Sequence, residues 1–78
     1  MTDWHVVVHD DDMNMFPVVV DVLNRVVGLP LAEAVAGTRR IHEHGSVSIS
    51  AAGRDAAEAT VARLHSYGLN ASVGRSEP

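Results

Sequence analysis

Cysteine and lysine are both absent from this 78-residue chain, and aromatic residues make up only 4% of it. Without cysteine there are no disulfides, thiolate zinc sites or thiol nucleophiles, and a reducing compartment such as the cytoplasm is the expected location. All six basic residues are arginine, and against ten acidic ones they leave a formal charge of −4. That is the wrong sign for a module whose affinity would come from neutralising phosphates, so nucleic acid is not an expected partner. A negative surface instead favours amines or basic patches on other proteins. Long apolar runs are missing too. Residues 18–27 are interrupted by Asp21, Asn24 and Arg25, well short of the roughly 20 apolar residues of a membrane span. The opening Met1-Thr2-Asp3-Trp4 has no basic segment leading into an apolar one, which argues against a signal peptide.

What is present is aliphatic. Apolar residues are 46% of the chain, so the core has to be built from Val, Ala and Leu, and the length allows one domain. His5-Val6-Val7-Val8-His9 reads as a strand entering an acidic turn. Pro17 suits the first turn of a helix that runs over residues 18–27 and is closed by Gly28. Pro30 opens a second helix with Glu33 in its first turn, Arg39 and Arg40 near its end and Gly45 as its cap, the charge placement a helix dipole favours. The apolar stripe expected on it is Leu31, Ala34, Val35, Thr38, Ile41 and His42.

Ser46-Val47-Ser48-Ile49-Ser50 alternates with period two and predicts a strand with one buried face. Ala57, Val61, Leu64 and Tyr67 recur at helical spacing over residues 54–67. A short strand is expected over residues 69–73, then a frayed tail. The order β-α-α-β-α-β predicts an α+β fold: a three-stranded antiparallel sheet covered by three helices. The expected organisation is a short arm over residues 1–5, the domain over 6–74 and a tail over 75–78.

Metal chemistry fits poorly. Asp10, Asp12, Asn14 and Asp21 fall at calcium-loop spacing, but Met15 stands where the loop needs glycine and Asp21 lies inside a helix. His42 and His44 are two apart on a helix and diverge. His5 and His9 sit roughly 13 Å apart on a strand, at about 3.3 Å per residue. No metal or other cofactor is expected. No serine or threonine has an elbow-like glycine context and so short a chain leaves little room for a deep cleft, so an enzyme is not expected.

Thr38, Ile41 and His42 share one helix face by their i, i+3, i+4 spacing. If the Asp10-Asp11-Asp12 turn lies beside that face, carboxylates and an imidazole border a small apolar pocket suited to a primary ammonium that carries a hydrophobic side chain. Spacing alone equally permits a solvated turn and a half-buried His42 that binds nothing.

Several stretches together resemble the ClpS family, adaptors that bind N-terminal residues of proteins marked by the N-end rule and pass them to a Clp ATPase–protease. They are Val6-Val7-Val8-His9-Asp10-Asp11-Asp12, Asp21-Val22-Leu23-Asn24-Arg25-Val26-Val27-Gly28, Ile41-His42-Glu43-His44-Gly45, Ala57-Glu58-Ala59-Thr60-Val61 and Leu64-His65-Ser66-Tyr67-Gly68-Leu69. The shortened end resembles actinobacterial members in particular. The resemblance implies that Asp10, Asp11 and His42 bind the N-terminal amine, and that Phe16, Val19, Thr38, Ile41 and Leu69 form the side-chain pocket. It also implies two kinds of partner: N-degron substrate proteins and the N-terminal domain of a ClpC- or ClpA-type AAA+ ATPase.

The sequence departs from the family in three ways. Asp10 stands where the family has Asn, which keeps an acceptor and loses a donor. Phe16 and Thr38 stand where it has methionines. The segment before the first strand is only about four residues, where the family has a long arm. A second resemblance, through Gly28-Leu29-Pro30-Leu31-Ala32-Glu33-Ala34 and the segment from Ala56 to Gly68, is to the C-terminal domain of the ribosomal stalk protein. It implies a protein-docking domain without amine recognition. That domain is lysine-rich on its factor-binding helix and lacks the acidic turn with histidine, so it ranks second.

Overall fold

Alternation of side chains along the first strand sets the layers. A computed structural model describes residues 3–11 and 15–76, and in it β1 spans Asp3–His9 with Val6 and Val8 almost wholly buried. Even-numbered residues of β1 face the helices, and odd-numbered ones lie on the other side of the sheet. β1 is the central strand of the order β2-β1-β3, paired antiparallel with β2, Ser46–Ala51, and β3, Asn70–Ser76. The helical layer is α1, Phe16–Val22, then α2, Leu31–His44, and α3, Arg54–Ser66. α2 packs over β2, α3 over β1 and β3, and α1 against α2. The expected antiparallel sheet and β-α-α-β-α-β order are both present.

Small side chains make up for the shortage of rings. Leu23 and Leu64 are fully buried, and Ala34, Ala57 and Ala71 are buried with them in the same core. The exposed face of the sheet carries Ser48, Ser50 and Ser72, and the His9 imidazole meets the Ser72 hydroxyl at 2.8 Å. Gly74 is required on this face. A Cβ there would come within 2.9 Å of Val7 Cγ2, so only glycine lets β3 pass its neighbour.

Three boundaries differ from the sequence reading. β3 continues to Ser76 instead of fraying after residue 73, because Gly74 permits the close pairing that carries Arg75 and Ser76 alongside Trp4 and Asp3. Asp3 and Trp4, expected in the arm, are therefore strand residues, and β1 starts ahead of His5. The Arg54 and Arg75 guanidinium groups lie 5.9 and 5.3 Å from the Trp4 ring, a cation–π arrangement that seals this end of the sheet. The first helix does not stay α-helical to residue 27: Leu23–Val27 forms a π-helical turn. The Gly28 and Leu29 amides both donate to the Leu23 carbonyl, and the Asn24 side-chain amide donates to Leu29 O at 2.7 Å, which closes the widened end.

On the helices, Ala34, Thr38, Ile41, Ala57, Val61 and Leu64 are buried as their spacing predicts. Leu31 and Tyr67, assigned to the same stripes, are 62% and 57% exposed. Each stands at a helix end, beyond the part that the sheet covers.

Leu23 has no exposed surface, and the turn it opens packs against α1, α2 and α3. Leu23→Ala is expected to cost about 2–5 kcal/mol, a large share of the roughly 4–12 kcal/mol usual for a domain of this length. Urea denaturation measures it, and an unchanged midpoint would show that Leu23 is not a core residue.

Candidate functional site

The end of β1 and the end of α2 are tied together by backbone. Gly45 has φ +92°, a left-handed conformation that favours glycine, and caps α2 by donating its N–H to Ile41 O at 2.8 Å. The Gly45 carbonyl in turn accepts the Asp10 N–H at 2.8 Å, directly after His9 pairs with Ser46. The acidic turn therefore leaves the sheet beside the last turn of α2. The Asp10 carboxylate lies 3.6 Å from His42 Nδ1, with both side chains roughly 40% exposed. A pair so exposed contributes about 0–1 kcal/mol even when charged, so its value is in the placement of its polar atoms.

Below this pair is a narrow cleft lined by Val8, His9, Asp10, Asp11, Val19, Ile41, His42 and Leu69. Its floor of Val8, Val19, Ile41 and Leu69 is continuous with the core, and its rim is Asp10, Asp11 and His42. The volume is about 10 Å³, room for one water. The Phe16 ring stacks on the His42 imidazole, with centroids 5.5 Å apart and planes 17° from parallel. Carboxylate oxygens above an apolar floor can accept hydrogen bonds from a cation whose remainder is apolar.

Of the residues singled out from sequence, Asp10, Asp11, His42, Val19, Ile41 and Leu69 meet at this cleft. Two do not line it. Thr38 is fully buried and donates its hydroxyl to Ala34 O at 2.8 Å, so the helix itself satisfies the side chain. Phe16 reaches the site only through the stack on His42. Asp12 lies outside the described residues, as does Asn14 of the calcium-like spacing. Among the described residues no three metal-ligating side chains gather. Val8 and His9 were missed, although the alternation of β1 puts Val8 on the helix-facing side at the mouth of the acidic turn, a signal that was available.

Comparison with known proteins bears on this arrangement. A family model described as ATP-dependent Clp protease adaptor protein ClpS matches residues 1–72. The chain belongs to the ClpS family. Among its relatives is the ATP-dependent Clp protease adapter protein ClpS of Nocardia farcinica, 32% identical over 95% of this chain and 70% of the relative. The protein of the same name in Rhodococcus opacus is 32% identical over 92% of this chain and 64% of its own length. That of Mycolicibacterium paratuberculosis is 31% identical over 90% and 67%. The chain thus spans about two thirds of the length of the ClpS relatives it matches, and the family match covers β1, the helices, β2 and the start of β3. The family is named for an adaptor of a protease, not for a protease.

The stack on His42 is directly testable. Phe16→Leu should move the His42 ring-proton resonances downfield as the shielding from the neighbouring ring is lost. An unmoved His42 spectrum would mean that the two rings are not stacked in solution.

Proposed function

We propose that this chain recognises the N-terminal residue of other proteins, binding its free amine and its hydrophobic side chain, and delivers those proteins to a Clp ATPase–protease. The observation that supports this best is the cleft itself: Asp10, Asp11 and His42 ring a mouth whose floor is Val8, Val19, Ile41 and Leu69. A protonated α-amine offers three donors, and carboxylates at the rim accept them with charge assistance. An internal peptide segment has no ammonium on the backbone beside its side chain, so a rim and floor this close together favour chain ends. Membership of a family named as Clp protease adaptors supports the delivery half of the reading. The docking partner is then the N-terminal domain of a ClpC- or ClpA-type ATPase.

A cleft with room for one water must open to take a side chain. The floor residues are buried in the core, whereas Asp10 and His42 are exposed and Phe16 is half-buried. Opening therefore falls to the His42–Phe16 pair, and the size of the accepted side chain is set by how far that stack swings. Asp10 supplies an acceptor and no donor to the peptide backbone.

Fluorescence polarisation with peptides beginning in Leu, Phe, Tyr or Trp, each with an acetylated control, tests the amine half. Free N-termini should bind and acetylated ones should not; equal binding of the two would sink the reading. Asp11→Ala should weaken binding by about 1.5–3 kcal/mol, the worth of a hydrogen bond to a charged group. Pull-down against the ATPase N-terminal domain and against a translation factor tests the docking half. Capture of the translation factor alone would favour the stalk-like reading.

A further inference from the structure

A larger groove lies away from the amine cleft, between α2 and the outer edge of β2, with a volume of about 660 Å³. Among the described residues, β2 has β1 on one side and no strand on the other. Residues 47–50 all line the groove. Successive strand residues point to opposite faces, so four in a row line it only along the strand's edge. That edge, Ser46-Val47-Ser48-Ile49-Ser50-Ala51, has no charge and no proline. Charge and proline, two of the devices that keep an edge from pairing, are thus missing from it.

We propose that the groove is filled by a second copy of this chain, with β2 pairing antiparallel to β2 and α2 lying antiparallel to α2 about a twofold axis. The charge pattern is self-complementary. In two identical antiparallel helices related by such an axis, residues whose numbers share one sum face each other. The groove wall carries Glu33, Ala36, Gly37 and Arg40. With the axis midway between Ala36 and Gly37, Glu33 and Arg40 stand equally far from it on opposite sides. Glu33 of each copy then faces Arg40 of the other, while the smallest residues meet at the axis and allow close approach. Among the described residues, neither Glu33 nor Arg40 has an ion pair within its own chain.

The strand agrees with the helix. Val47 and Ile49 pair across from Val8 and Val6, so they share the helix-facing side. An axis through Ser48 sets Val47 of one copy opposite Ile49 of the other on that side, with serines opposite serines on the other face. The two axis positions also lie level. From the Gly45 turn, the middle of Ala36 and Gly37 is about 13 Å back along the helix at 1.5 Å per residue, and Ser48 is about 10 Å along the strand at 3.3 Å per residue. No groove residue belongs to the amine cleft, so both clefts stay open and the dimer is bivalent.

Sedimentation velocity on the full chain across a concentration series should show a mass rising to twice that of one chain. Glu33→Arg and Arg40→Glu each set like charges against one another at two symmetric places and should weaken the dimer by about tenfold. Together in one chain they restore opposite charges and should restore the dimer. Ala36→Trp, which fills the groove from an exposed helix position, should give a monomer without altering charge. Circular dichroism checks the fold of every variant. A monomer at all concentrations, a dimer that neither single reversal weakens, or a double reversal that fails to recover it overturns the proposal. The peptide-binding assay is independent of this outcome.

Discussion

The hydrogen bond from the Asp10 amide to the Gly45 carbonyl is the joint on which the site depends. It fastens the exit of the central strand to the end of α2, and it exists because Gly45 turns the chain from helix to strand within one residue at φ +92°. A side chain at Gly45 would strain that turn, and a longer connection would carry β2 and the acidic turn away from His42. The 3.6 Å approach of Asp10 to His42 follows from this backbone geometry, not from attraction between two groups so open to solvent.

From that joint follows a division of labour. The floor of the cleft is made of core residues, so its shape is held by the same burial that holds the fold, and mutations there carry a stability cost. On the rim, Asp10 and His42 are exposed side chains that contribute little to stability and can change or move cheaply. On the proposed reading, specificity is concentrated at Asp10, Phe16 and His42, while Val8, Val19, Ile41 and Leu69 supply a general apolar surface. Thr38 belongs with the fold, since its hydroxyl is spent on the helix backbone.

Much of this was legible in the sequence. Glycine and proline punctuation located the first two helices and helical spacing the third, while a β-branched run ending in aspartates marked β1 and period-two alternation marked β2. The helical spacing of Ala34, Thr38 and Ile41 located the buried stripe of α2. The errors have physical causes. The extension of β3 through Gly74 was hidden because glycine reads as a stop, whereas here it is the one residue that fits against Val7. The π-helical turn leaves no periodic signature in a run of valines. Spacing assigned Thr38 to the pocket because helical position gives a face but not a depth. The closeness of Phe16 to His42 depends on the angle between two helices, which periodicity does not report.

Titration of the isotopically labelled chain with a peptide bearing a free N-terminal leucine, followed residue by residue in amide NMR spectra, tests the central claim most directly. The account predicts shifts confined to Asp10, Asp11, Val19, Ile41, His42, Leu69 and their immediate neighbours, and silence when the same peptide is acetylated. Shifts centred on the groove between α2 and β2, or identical responses to the two peptides, would contradict it.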